Sequence, residues 1–184
     1  MVALRGIINY LTLTLTSTKC LNSNDPLSNL KFTRNHMTSQ FEPRDPDFAA
    51  RVKQSFSEQA IMQTIGAVLV VVEPGRVEIE LPYQQSLTQQ DDFIHAGISA
   101  TILDSACGYA AFSLMPSDVR VLTIEFKINL LAPAAGDHFR AVGKVRKPGR
   151  SVFVAEGELY GGRDTSARLV ATMSATLMAL QSNG

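Results

Sequence analysis

Between Ala96 and Leu114 the chain runs for about five helical turns on Ala, Gly, Ser and aliphatic residues, with no strong polar face. A helix apolar nearly all round must be buried. Its small residues, Ala100, Ala106, Gly108, Ala110 and Ala111, let other backbone approach it closely. No second long helix of this kind is available to cover it, so strands must do so. That requirement limits the fold more than any other feature.

The strands are legible on both sides of the helix. Ala67 to Val72 is a β-branched run, and Val77, Ile79 and Leu81 alternate with Glu78 and Glu80. Pro74-Gly75 between them fits the centre of a type II turn, proline setting φ and glycine allowing φ > 0. Beyond the helix, Leu122, Ile124, Phe126, Ile128 and Leu130 alternate with Thr123, Glu125, Lys127 and Asn129. His138 to Arg146 and Ser151 to Tyr160 form a second hairpin about Pro148-Gly149, and a last strand covers roughly 167–180. Upstream, Asp45-Pro46 reads as an N-cap with proline at the first helical position, opening a helix with Phe48, Val52 and Phe56 on one stripe. Ile61 to Ile65 is expected to lead into the first strand. The order β-β-α-β-β-β-β predicts an α+β fold, an antiparallel curved sheet wrapped round one long central helix. The expected domain is 45–184, preceded by a leader over 1–44.

Composition narrows the partners. The 184 residues carry 17 Lys+Arg against 17 Asp+Glu, so no global field draws nucleic acid or an anionic membrane. Cys20 and Cys107 lie far apart, and His36, His95 and His138 are scattered, which supports neither a disulfide framework nor a metal site. A reducing compartment, the cytoplasm, is the expectation. Met37 is read as the natural start, with the preceding residues as upstream sequence or a disordered leader. The alternative is organelle targeting, because that segment has four basic residues (Arg5, Lys19, Lys31, Arg34) and the single acid Asp25. Its apolar part is too short and too Thr-rich for a membrane span.

Asp104 is the one acid in the central helix, and no Lys or Arg lies in that helix to pair with it. A buried carboxylate must be paired, hydrogen-bonded or protonated, so an unpaired acid here points to function. The amides of Ala96 and Gly97, at the helix start, are oriented to polarise a carbonyl oxygen. Gly97 and Asp104 share a face but stand roughly 10 Å apart along the axis. A reacting carbonyl needs its attacking group within about 3.5 Å. The helix start of one subunit and Asp104 of another are therefore expected to share each site. His95 is either a helix-entry residue bonding nearby backbone or part of the site. Cys107 reads as a small core residue, and Phe93, Tyr109 and Phe112 as core packing before tunnel lining. Lys147-Pro148-Gly149-Arg150 is a basic turn that is either a solvated tip or a phosphate contact.

Gln89-Gln-Asp-Asp-Phe-Ile-His95-Ala-Gly97, followed by Ile102-Leu-Asp104-Ser-Ala106, resembles the PaaI-type (phenylacetic-acid-degradation) hotdog acyl-CoA thioesterases. The resemblance extends over about 48–180 and includes the Leu131-Ala132-Pro133-Ala134 turn. It implies a hotdog fold, a homodimer or homotetramer with active sites at the dimer interface, and an acyl-CoA substrate with no cofactor and no metal. It further implies that Asp104 is nucleophile or general base and that the amide of Ala96 or Gly97 polarises the thioester carbonyl. His95 and Gln89 would orient substrate or water, and Thr123 would contact water near the acid. CoA would run along Leu130, Leu131, Ala132, Pro133 and Ala134, and along Lys147, Gly149, Arg150 and Ser151, with Arg150 near a phosphate. Two departures stand out: Ala96 replaces the first glycine of the family's HGG, and Gln89 replaces a frequent Asn. The alternatives are a non-catalytic acyl-CoA-binding hotdog domain and a hotdog dehydratase or hydratase of 3-hydroxyacyl thioesters.

Overall fold

The first-strand hairpin forms where the Pro74-Gly75 turn places it. In a computed structural model that describes residues 41–163 and 167–181, β1 (Val68–Glu73) and β2 (Arg76–Pro82) pair antiparallel, with Glu73 opposite Arg76 and Gly75 at φ +75°. The readings made for residues 1–40, including the leader, Met37 as start, Cys20 and His36, lie outside the described residues.

Two differences from expectation precede that hairpin. The first helix, α1 (Phe48–Glu58), starts two residues later than the proline reading placed it. Asp45 accepts the Asp47 amide at 2.9 Å in a side-chain turn, and its other oxygen takes the Arg51 guanidinium at 2.7 Å. The carboxylate therefore organises the approach to the helix instead of capping it. Ile61 to Ile65 does lead into the first strand, but as part of a short helix, α2 (Ala60–Ile65), closed by Gly66 at φ +71°. Its polar Gln63 and Thr64 find backbone acceptors, and its apolar Met62 and Ile65 face the core, a pattern a single turn can satisfy.

The long apolar segment forms α3 (Ala96–Phe112), which is buried along most of its length. Around it lie β3 (Val119–Leu130), β4 (His138–Lys147), β5 (Val152–Gly161) and β6 (Arg168–Gln181). Among the described residues the six strands form one antiparallel sheet in the order β1-β2-β4-β5-β6-β3. The α+β expectation of a sheet wrapped round one helix is met. Close approach is possible because glycine faces the helix: a Cβ on Gly143 would stand 2.2 Å from the carbonyl oxygen of Ala106. Gly157 likewise makes room for Leu103 and Cys107.

The sequence alternation in β3 is split by a bulge. Register shifts between Thr123 and Glu125, so Thr123 stands opposite Leu177 while Phe126, Ile128 and Leu130 stand opposite Ala175, Met173 and Ala171. Those β6 residues are buried, so Thr123 and the later apolar residues share the helix-facing side. Since β3 is an edge strand, Leu122, Ile124, Phe126 and Leu130 remain about half exposed, at 53, 51, 46 and 56 %. Among the described residues no helix is long and apolar enough to cross a membrane.

Candidate active site

Thr123 reaches Asp104 because of that bulge. Its hydroxyl donates to Oδ1 of Asp104 at 2.8 Å. Bulges redirect a side chain in this way while the strand continues past them. Burial raises the Asp104 pKa above the usual carboxylate range, and the Thr123 hydrogen bond pulls it partly back. Asp104 lines a cleft of about 490 Å³ together with Ser55, Gln59, Ser105 and Tyr109. Ser105 donates to the side-chain oxygen of Gln59 at 3.3 Å, and Ser55 lies 3.4 Å from the Tyr109 hydroxyl. Gln59 and Ser55 come from the α1–α2 region, and sequence reading did not single them out. Nothing local marks them, since on an amphipathic helix they read as ordinary polar positions.

The helix start is built differently. His95 occupies the N-cap, and its Nδ1 accepts the Gly97 amide at 2.9 Å. The Ile98 and Ser99 amides donate to the His95 carbonyl, at 3.0 and 3.2 Å. Among the described residues this leaves the Ala96 amide without an acceptor in the first turn. Of the two amides expected to polarise a carbonyl, Ala96 is available and Gly97 is engaged. With Nδ1 accepting, a neutral His95 carries its proton on Nε2 and is a donor there. Gln89 turns its side-chain oxygen to the Asp91 amide, which helps shape the loop ahead of the helix.

A second cleft, of about 440 Å³, joins Gln89, Phe93 and Ala96 to Leu130, Leu131, Ala132, Pro133 and Ala134. The Ile94 amide donates to the Ala134 carbonyl at 3.1 Å, and Leu131 and Ala132 are anchored to the Val170 carbonyl. The turn expected to hold CoA thus lies against the helix start. The other expected CoA segment does not. Lys147, Gly149, Arg150 and Ser151 adjoin Val152, and Phe153 shares Leu177 as a cross-strand neighbour with Thr123. Two strand spacings, about 10 Å, therefore separate the basic turn's strand from Thr123, whereas Thr123 and Leu130 are roughly 20 Å apart along β3.

Within one chain the predicted residues fall into two separate groups. Asp104, Thr123 and the basic turn stand towards one end of the sheet, and Gln89, His95, Ala96 and the 130–134 turn at the other. No residue lines both clefts. Phe112 packs in the core as expected, in edge-to-face contact at 6.3 Å with Tyr109, which is buried but also borders the Asp104 cleft, whereas Phe93 is half-buried and lines the second cleft. Cys107 is buried, and its thiol is pushed up to about 12 by burial first and by the nearby Asp104 and Glu156 charges second. At neutral pH it is a protonated core thiol, in keeping with the structural reading. Among the described residues no group of three or more His, Cys, Asp or Glu is placed to hold a metal ion.

An antiparallel sheet curled round a single buried helix, with an acid in that helix, defines a protein of the hotdog class. Comparison with known proteins gives the family: the profile of the thioesterase superfamily matches residues 92–167. A putative esterase of Halobacterium salinarum is 32% identical over 128 residues, covering 66% of this chain and 84% of that protein. A crystal structure of a thioesterase family protein from Silicibacter pomeroyi is 53% identical, with a TM-score of 0.71, covering 73% of this chain and 98% of that one. The chain belongs to the thioesterase superfamily. The E. coli PaaI protein of the phenylacetic acid degradation operon shares the fold, with a TM-score of 0.64 at 19% identity over 72% of this chain and 94% of that one.

Proposed function

We propose that this protein hydrolyses acyl-CoA thioesters to a free carboxylic acid and CoA, at sites shared between two copies of the chain. The observation that carries the reading is Asp104: a half-buried carboxylate with a raised pKa, held by Thr123 and open to a cleft. A carboxylate so placed acts as general base on water or as nucleophile on the thioester. As base it takes a proton from water while the oxygen adds to the carbonyl carbon. The C–S bond then breaks, and the proton passes to the departing CoA thiolate. The Ala96 amide, free of an intrahelical partner, donates to the oxygen that gains charge. His95 offers Nε2–H to the substrate, and Gln89 borders the same cleft.

One chain cannot bring these groups together, because eight residues of helix separate Ala96 from Asp104, about 12 Å. The half-exposed apolar residues of edge strand β3 support the sharing. Pairing that edge with a second copy covers Leu122, Ile124, Phe126 and Leu130 and removes an open strand edge. The assembly is thus a homodimer, or a homotetramer built from two such dimers. CoA then runs from the 130–134 turn of one copy towards the basic turn, Lys147 to Ser151, of the other.

Thiol release across acetyl, medium-chain, long-chain and aromatic CoA esters tests the activity. Asp104→Asn is expected to lower kcat by roughly 10²–10⁴-fold while CoA-ester binding and thermal melting are retained. Near-wild-type turnover in that variant overturns the mechanism.

A further inference from the structure

Arg44, ahead of α1, reaches across the molecule to the Lys147–Ser151 turn. Its guanidinium donates to the carbonyl of Gly149 at 2.8 Å and to that of Arg150 at 3.4 Å. It also lies 5.9 Å from the centre of the Phe153 ring. Two successive carbonyls of one turn are therefore directed at a single planar cation.

Peptide planarity gives that contact a consequence. In a trans peptide the C=O and the following N–H point in opposite directions. With the Gly149 and Arg150 carbonyls aimed at Arg44, the Arg150 and Ser151 amides point away from it. Among the described residues neither amide has a backbone acceptor, although the neighbouring Ser151 carbonyl takes the Ala179 amide at 2.8 Å. Successive N–H groups that point the same way from a turn favour an anion. Lys147 and Arg150, both exposed, flank them with positive charge. Gly149 is also required at the bend, since a Cβ there would stand 2.1 Å from the Val152 carbonyl oxygen.

We propose that Arg44 is a positioning residue for the nucleotide end of the CoA ester. It holds the carbonyls of the basic turn inward and so presents the Arg150 and Ser151 amides, with the Lys147 and Arg150 side chains, to a CoA phosphate. This inference rests on the acyl-CoA reading above and goes beyond it by assigning a role to a residue outside both clefts.

Arg44→Ala and Arg44→Lys are compared with wild type on an acyl-CoA and on the matching acyl-pantetheine, which lacks the nucleotide and its phosphates. Affinity for free CoA is measured by calorimetry. Arg44→Ala is expected to raise KM and the CoA Kd about tenfold, with kcat within about twofold and the pantetheine ester unaffected. Arg44→Lys keeps the charge but cannot span two carbonyls in one plane, so it retains most of the defect. Full rescue by lysine overturns the clasp in favour of simple charge. Unchanged KM and Kd in Arg44→Ala, or an equal loss on both esters, overturns it outright. A wild type that binds CoA no better than pantetheine removes the phosphate reading of the turn, and this inference with it. A CoA preference without an Arg44 effect leaves the proposed function standing and removes only the clasp.

Discussion

The Thr123 hydroxyl matters most through the hydrogen bond it donates to one oxygen of Asp104. Burial disfavours the charged form of Asp104 and raises its pKa, whereas the hydrogen bond favours that form. In the proposed mechanism the reacting form is the carboxylate, so kcat/KM is expected to fall as pH drops through the raised pKa. Thr123→Val removes the lowering contribution and keeps the side-chain volume. Its acid limb is expected at higher pH than in wild type, with much of the rate recovered on the alkaline side. An acid limb that stays in place would show that the bond does not serve the ionised state. Asp104 was legible as a lone acid in an apolar helix. Thr123 entered only through family resemblance, because strand alternation alone gives no reason for it to face the helix. The bulge that turns it inward depends on pairing with β6.

The central helix and the sheet meet at backbone distance, and glycine permits it. Gly143→Ala would drive a methyl group into the Ala106 carbonyl, where neither the helix backbone nor the strand can yield cheaply. A loss of about 3 kcal/mol is expected in urea unfolding, seen as a lower midpoint with an unchanged m-value. A midpoint equal to wild type would mean that the helix shifts freely over the sheet. Burial of this helix followed from its composition. The partner position did not: Gly143 reads in isolation as a glycine inside a strand, a signal of close approach without an address. At the helix C-terminus, Ser113 takes the Gly75 amide at 2.8 Å and donates to Ala110 at 2.7 Å, tying the first hairpin to the end of the helix. That link too joins segments whose sequences carry no mark of one another.

Across the whole molecule the decisive fact is the separation of the two clefts. Ala96→Pro removes the amide donor at a helical position that accepts proline, and the extended backbone of His95 (φ −60°, ψ 140°) suits a following proline. Asp104→Asn removes the acid. Mixed at random, these two inactive chains form heterodimers in half of the cases, each with one intact site of two. About a quarter of the wild-type rate is therefore expected after co-refolding. Activity no higher than that of the parent variants would place donor and acid on the same chain. The expectation of sharing was available from helical rise alone. The structure adds that the two clefts have separate walls and that β3 offers an apolar open edge.

By itself the sequence determined the order of the strands about the central helix, the burial of that helix, the Pro74-Gly75 hairpin and the singular position of Asp104. These follow from periodicity, turn chemistry and the cost of an unpaired charge, all of which act between near neighbours in the chain. Tertiary structure decided that His95 engages Gly97 and leaves Ala96 as donor, that the bulge aims Thr123 at Asp104, and that the two expected CoA segments lie at different ends of the sheet. It also brought Arg44 to a turn more than a hundred residues away. Strand register and loop packing set such contacts, and these are settled only when the whole sheet closes on its helix.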